Sequence, residues 1–288
     1  MGWSLKQGGS VLRTIDRLAN LAAVIAVFVA VPAWCNVQTW DWDDSNLDLS
    51  STNYGNTLTF DGANAIDGIT LVVSGWSDTA NPNDNVIRSA ALNWQQSGQN
   101  LGLCNRDEGN GGSQNTCSSS PTPSHAIDSY GNDYDMLLLT FSTAVNLTGI
   151  DIGWQNTNPT PVSILAWTGP GSAALSGQTW SSIRTGAPGG AYQTIGNYAV
   201  PNNTNYYSIS NNVTSTNWLV GIYNPIFDSN NQLNYTGDYA LKLNAVRTQT
   251  TPPPVPGGQI PLPGTAVLLL LGLAALRGQR QKTSTISA

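Results

Sequence analysis

Short runs of residues that are apolar at every second position, or apolar throughout, recur along the chain from residue 57 to residue 246. Turn-forming residues such as Gly, Asn, Pro and Asp separate the runs. A period of two residues is the pattern of a β-strand with one face in the core. In the last run, Leu241 and Leu243 alternate with Lys242 and Asn244. The runs predict ten strands: Thr57–Phe60, Ile69–Trp76, Val86–Trp94, Met136–Phe141, Leu147–Trp154, Val162–Trp167, Tyr192–Val200, Tyr206–Ile209, Trp218–Tyr223 and Tyr239–Val246.

The composition argues against a helical protein. Glutamate occurs once, at Glu108, although exposed helices normally rely on Glu and Lys. The 29 Gly and 16 Pro favour turns. About ten strands without helical periodicity predict an all-β fold, a single two-sheet β-sandwich or jelly-roll-like domain. We place this domain at residues 36–249, where neither a repeat nor an internal linker interrupts the chain.

The charge of the predicted domain restricts its partners. Between residues 36 and 264 the chain has five basic and sixteen acidic residues, a net charge of −11. A nucleic-acid-binding protein needs a basic surface that neutralises phosphates, and adhesion to an anionic membrane makes the same demand. The charge therefore argues against nucleic acid as a partner and suits an extracellular domain.

The N-terminal residues 1–35 have the pattern of a secretory signal peptide. Three basic residues precede Leu18–Val31, fourteen residues that are all apolar except Asn20, a length that fits a signal-peptide core and is short for a membrane span. Cleavage after Ala33 or after Cys35 would release the domain. We expect export through the Sec machinery.

The C-terminus has a Pro- and Gly-rich linker at residues 250–259, followed by residues 260–288, which combine a short motif, an apolar segment and a basic tail. The eleven apolar residues Ala266–Leu276 rise about 16 Å as a helix, roughly half of a hydrocarbon core. They predict a short apolar transmembrane helix that anchors the chain transiently. The motif consists of Pro261, Leu262, Pro263, Gly264 and Thr265, and the basic residues are Arg277, Arg280 and Lys282.

This arrangement resembles the PEP-CTERM sorting signal, with Pro-Leu-Pro at residues 261–263 in place of the commonest Pro-Glu-Pro. The centre of the chain also resembles the exosortase-dependent surface protein family, in the segments Leu101–Asn105, Ser124–Asp128, Asp133–Phe141, Asp151–Trp154 and Ile164–Gly169. The resemblance implies processing by an exosortase-like enzyme, transient anchoring in the inner membrane, and delivery to the cell surface or the medium of a Gram-negative bacterium. It implies no defined catalytic reaction.

Two other interpretations of the C-terminus stay open. Residues 262–266, Leu-Pro-Gly-Thr-Ala, also resemble a sortase motif of the Leu-Pro-x-Thr-Gly type, although sortase substrates usually have a longer span after it. A plain membrane anchor is the other. A GPI signal is disfavoured because basic residues follow the apolar segment.

Cysteine usage agrees with export. Cys104 and Cys117 enclose twelve residues rich in Gly and Asn. A disulfide between them would stabilise the domain by about 2–3 kcal/mol in the chain-entropy model, and the cell exterior permits it. We predict this bridge.

No pattern in the chain specifies an enzyme. His125 is the only histidine, so any Ser-His-Asp or Cys-His chemistry would depend on it. Aspartates follow it closely, but neighbours in sequence do not define a triad in space. A Gly-x-Ser-x-Gly motif is absent, and nothing selects a carboxylate pair for glycoside hydrolysis. We predict a structural histidine and no enzymatic activity.

Two kinds of binding site remain as hypotheses. Clustered acidic residues could supply oxygen ligands to calcium, although none fits an EF-hand and solvated turns are the simpler interpretation; no other cofactor is expected. These residues are Asp107, Glu108, Asp128, Asp133 and Asp135.

The second hypothesis is carbohydrate binding. Ten Trp and ten Tyr against four Phe is a bias toward rings that stack on sugars while a polar edge stays wet. Trp154 and Trp167 are candidates, as are Trp180 and Trp218, although a place in the core is the simpler interpretation of each.

The sequence thus predicts a secreted, surface-sorted, non-enzymatic protein that associates with the extracellular polysaccharide matrix. The alternatives are a carbohydrate-binding or calcium-stabilised adhesin and a sortase-anchored surface protein.

Overall fold

The β-strands occupy most of the residues that the computed structural model describes, which are 36–42, 47–80, 83–95, 100–106, 125–171, 174–186, 191–201, 206–229, 233 and 235–250. All of them belong to one unit, Cys35–Thr251. The predicted signal peptide, the C-terminal motif and the apolar segment lie outside the described residues. The helices within these ranges are all too short or too polar to cross a bilayer.

The prediction of a β protein is confirmed. The described residues form twelve strands, one short α-helix and three 3₁₀ turns. The strands are β1 Val37–Asp41, β2 Thr57–Phe60, β3 Leu71–Ala80, β4 Asn83–Gln95, β5 Asn100–Cys104, β6 Ile127–Asp128, β7 Asp135–Gln155, β8 Thr160–Trp167, β9 Tyr192–Val200, β10 Tyr207–Ser208, β11 Ser215–Ile222 and β12 Ala240–Gln249. The helix is α1 Trp180–Thr185, and the turns are Gly62–Asn64, Tyr130–Asn132 and Pro225–Phe227.

Strand β7 joins two segments that the sequence pattern separates. Met136–Phe141 and Leu147–Trp154 are predicted as two strands, separated by residues 142–146, of which Val145 alone is a large apolar residue. The segment Ser142–Ala144 is indeed exposed, but its backbone stays extended. The first half of β7 pairs with β3 and β11, and the second half pairs with β12 and β10.

The antiparallel pairing closes a ring of five strands, in the order β12, β5, β4, β3 and β7, with β7 returning to β12. The pair of Leu243 with Leu101 makes the link between β12 and β5. From β7 the sheet continues through β11 and β8 to β9, and β1 flanks β12. A two-sheet sandwich or jelly roll is therefore not confirmed, because β7 belongs both to the five-strand ring and to the sheet that continues to β9.

The main apolar core packs against one face of these strands. Trp40 of β1 is fully buried there, and its ring meets Phe60 and Phe141 edge to face at 5.6 and 5.5 Å between centroids. Its indole Nε1 donates a hydrogen bond of 2.9 Å to the hydroxyl of Thr248. Trp40 thus joins β1, at the start of the domain sequence, to β12, at its end.

A second apolar cluster covers the other face of β7, β11 and β8. Leu138, Leu219 and Leu165 belong to it, together with Trp180 and Ile183 of α1. The first half of β7 and strands β11 and β8 are therefore buried on both faces, which explains why their sequences are largely apolar rather than alternating.

The short helix α1 begins with a capping box. The Thr179 hydroxyl accepts a hydrogen bond from the Ser182 backbone N–H at 3.1 Å, and the Ser182 hydroxyl accepts one from the Thr179 N–H at 2.9 Å. The helix ends before Gly186, which has a φ of 98°. The sequence prediction missed α1 because its six residues are too few for a periodic pattern.

A substitution at Gly102 of β5 can test the packing beside the Leu243–Leu101 pair that closes the ring. A Cβ at this position would collide with the carbonyl group of His125, whose carbon would lie 2.7 Å away. We expect Gly102→Ala to lower the free energy of unfolding by about 3 kcal/mol or more, because backbone rather than a flexible side chain must move.

Urea unfolding measures this change. Gly237→Ala is the matched control, since the nearest atoms to its Cβ lie at an ordinary 3.5 Å or more. Equal stability of the two variants would show that β5 and the His125 segment are not this closely packed.

Candidate functional site

The three adjacent strands β1, β12 and β7 present one face to the core and the other to solvent. Leu241, Leu243 and Val246 of β12 belong to the core, so Lys242 and Asn244, which alternate with them, point outward. Residues paired across antiparallel strands lie on the same face, and the pairing therefore identifies the rest of this surface. We call it the outer face; it comprises Thr39, Asp41, Gly149, Asp151, Trp154, Lys242, Asn244 and Arg247, with Tyr206 packed beside it.

Trp154 is the aromatic residue of the outer face that solvent reaches most clearly. Its exposed fraction is 37%, and among the described residues only Val37, at 59%, is another large hydrophobic residue with such exposure. Lys242 lies directly opposite Trp154 in the register of β12 and β7. The other Trp candidates for carbohydrate binding, Trp167, Trp180 and Trp218, are buried in the two apolar clusters.

A hydrogen-bonded pair of polar side chains follows Trp154 along the outer face. The amide nitrogen of Asn244 donates a hydrogen bond of 2.8 Å to the Asp151 carboxylate. Partial burial raises the pKa of Asp151; the hydrogen bond from Asn244 opposes this shift, while the nearby Asp41 adds to it. Asp41 and Asp151 are the cross-strand neighbours of the small Ala245 on its two sides. The middle of the face thus presents carboxylate and amide groups.

At the end of the outer face away from Trp154, an arginine stacks on an aromatic ring. The guanidinium carbon of Arg247 lies 3.5 Å from the centroid of the Tyr206 ring, a cation–π contact. Gly149 pairs with Arg247, and a Cβ there would lie 3.6 Å from the Cβ atoms of both Tyr206 and Arg247. Both distances are ordinary van der Waals contacts, so Gly149 lies directly beneath these two side chains, and the tightest neighbour of such a Cβ would be the backbone oxygen of Tyr207 at 3.3 Å. Burial is the main reason why the pKa of Tyr206 is raised.

His125, the histidine on which any catalytic triad would depend, contacts the side chain of Asn93. Its Nδ1 lies 3.0 Å from the side-chain amide nitrogen of Asn93. With the amide nitrogen of Asn93 toward the ring, Nδ1 is the acceptor, a role that a neutral imidazole can fill and an imidazolium cannot. Partial burial, followed by the charge of Lys242, lowers the pKa of His125. Both features favour the uncharged ring.

The acidic residues that follow His125 bind backbone groups. The Asp128 carboxylate accepts a hydrogen bond of 3.1 Å from the Tyr130 N–H, and the Asp135 carboxylate accepts one of 3.3 Å from the Asp128 N–H. Asp128, Asp133 and Asp135 are all buried. They are therefore not the solvated turn residues that the sequence suggested.

Within the described ranges, no three or more His, Cys, Asp or Glu side chains are grouped so that they could hold a metal ion. Two of the calcium candidates, Asp107 and Glu108, lie outside the described residues. Cys104 is disulfide-bonded in the structure. Its predicted partner, Cys117, also lies outside those residues, so the pairing of the two stays a prediction.

Comparisons of the chain with protein-family models, with curated proteins and with solved structures find no match. Functional inference therefore rests on the residues themselves. Sequence reasoning singled out Trp154 on the outer face but missed Asp151, Asn244, Tyr206 and Arg247 as its neighbours. The alternation along β12 predicted that Lys242 and Asn244 share a solvent-exposed face, and this pattern is the sequence signal for part of the outer face.

The histidine environment predicts a pH dependence of stability. The pKa of His125 is lower in the folded than in the unfolded protein, so the folded state binds fewer protons. The contribution of neutral His125 is therefore complete above the ordinary pKa of 6.5 and is lost as the pH falls below it. We expect the wild-type protein to lose more stability than His125→Gln between about pH 7.5 and 5.5.

Chemical denaturation at several pH values measures this difference, and Gln keeps a polar group near Asn93. Parallel pH profiles of the two proteins would contradict the assignment of a neutral His125.

Proposed function

We propose that this chain is an exported, surface-sorted bacterial protein without enzymatic activity, which associates with extracellular polysaccharide through its outer face. An exosortase-like enzyme would process it at residues 261–265 after Sec-dependent export. The basic tail would orient the apolar segment in the inner membrane, and the linker would separate the folded domain from the processing enzyme.

Trp154 is the observation that supports the polysaccharide part of this proposal. Its indole is partly exposed, next to the Asp151–Asn244 pair and opposite Lys242. Sugars have apolar C–H faces that stack on aromatic rings, and hydroxyl groups that need hydrogen-bonding partners. The outer face offers both kinds of contact on a rigid support of paired strands.

The proposed lack of enzymatic activity is supported by how the chain uses its titratable groups. The imidazole of His125 is held by Asn93, and Asp128 and Asp135 accept hydrogen bonds from backbone N–H groups. The first of these interactions gives a structural role to the one histidine on which a triad would depend, and the others give structural roles to aspartates that follow it in the sequence.

The association with polysaccharide predicts the effect of removing the exposed indole. We expect Trp154→Ala to weaken about tenfold the affinity of the naturally processed protein for the producer's own polysaccharide, measured by co-sedimentation, since an aromatic contact of about 1.4 kcal/mol would be lost. Val37→Ala is the matched control, because Val37 is the other exposed large hydrophobic residue among those described and is the first residue of β1. Equal sedimentation of wild-type protein and Trp154→Ala would exclude Trp154 as the contact.

The sorting motif predicts a separate effect. We expect Pro261→Ala/Pro263→Ala to accumulate in the membrane fraction with its tail retained, because the processing enzyme would no longer recognise the motif. Fractionation and intact mass of the recovered protein measure this outcome. Pro252→Ala/Pro253→Ala in the linker is the control and should be released normally; normal release of the motif variant would rule out this route.

A further inference from the structure

We infer that the outer face binds a linear, uncharged polysaccharide as an extended chain along β7 and β12, with Trp154 and Tyr206 as aromatic contacts and Asp151 and Asn244 between them. This inference rests on the proposed association with polysaccharide and names the class and the binding mode of the ligand.

The spacing of the two aromatic residues points to a chain rather than to a single sugar. Tyr206 packs beside Gly149, and Gly149 and Trp154 are five residues apart on β7. At about 3.3 Å per residue, this separation is roughly 16 Å, which the bulges in β7 and β12 shorten somewhat. A ligand that reaches both rings must therefore contain several sugar units.

The groups between the two rings suit hydroxyl recognition. A carboxylate accepts several hydrogen bonds and an amide both donates and accepts. The hydrogen bond between Asn244 and Asp151 holds both side chains in place before a ligand arrives, which lowers the entropy that binding costs. A register shift between Leu243 and Ala245 accompanies this arrangement, in which Asn244 is partly exposed and Ala245 beside it is buried.

The charges of the outer face match a neutral ligand. Asp41 and Asp151 carry negative charge, and Lys242 and Arg247 carry positive charge, so the face is balanced although the whole domain is strongly acidic. Arg247 is stacked on Tyr206 and lowers the pKa of Asp151 through its charge. A balanced face has no net charge with which to attract a polyanion, and the acidic domain around it disfavours one further; hydroxyl groups suit such a face.

Oligosaccharides of known size and charge test the inference. Partial hydrolysis of the producer's extracellular polysaccharide, followed by anion exchange and size separation, supplies three probes: a neutral disaccharide fraction, a neutral fraction of six or more units, and an acidic fraction. Calorimetric titration of the naturally processed protein should show the long neutral fraction binding at least about tenfold more tightly than the disaccharide.

Tyr206→Ala tests the second aromatic contact. We expect it to lower the affinity for the long neutral fraction about tenfold and to leave the disaccharide unchanged. Tyr206→Phe should bind like the wild type because the ring remains. Tyr54→Ala is the matched control, since Tyr54 also stacks with an arginine, Arg106, at 4.7 Å.

Three results would overturn the inference while leaving the association with polysaccharide intact: equal affinities for short and long neutral fractions, tightest binding of the acidic fraction, or wild-type behaviour of Tyr206→Ala. If Tyr206→Ala does not fold, the length dependence of the wild-type protein decides alone. Failure of the wild-type protein to bind any fraction or the intact polysaccharide would instead contradict the proposed function itself.

Discussion

The backbone pairing of β7 is the interaction on which the rest of the structure depends. This strand of 21 residues pairs with β3 and β11 through its first half and with β12 through its second half. It therefore closes the five-strand ring and also carries the sheet that continues to β9. Within its first half, Leu137 and Leu139 enter the main core, while Met136 and Leu138 enter the second cluster. One strand thus organises both apolar regions.

The outer face depends on the same strand. Trp154, Asp151 and Gly149 lie on the second half of β7, and their neighbours on β12 and β1 are set by the register of the pairing. The position of β1 is secured in turn by the buried Trp40, which binds Thr248. Changes in the core beneath β1 or β12 would therefore move the groups of the outer face, although the core contributes no group to that surface.

The sequence predicted most of the strands because their signal is local. Thr57–Phe60 and Tyr192–Val200 match the structure at both ends, and seven of the other eight predicted strands differ from it mainly at their boundaries or by the fusion in β7. The very short β10 lies within the eighth, Tyr206–Ile209. Strands β1, β5 and β6 and helix α1 were missed. Strand β6 and helix α1 are too short for their periodic patterns, whereas β1 and β5 have five residues each, one more than the correctly predicted β2.

The sequence by itself determined the all-β class and the alternation that leaves one side of β12 exposed to solvent. It also made Trp154 a candidate for carbohydrate binding. These inferences depend on composition and on neighbours within one strand. Only the tertiary structure decided that β7 is continuous, that the ring closes, and that Trp167 is buried while Trp154 is exposed. It also decided that Asn244 meets Asp151, 93 residues earlier in the chain, and that Trp40 meets Thr248, 208 residues later. Contacts over such separations arise from strand pairing and burial, which no local pattern encodes.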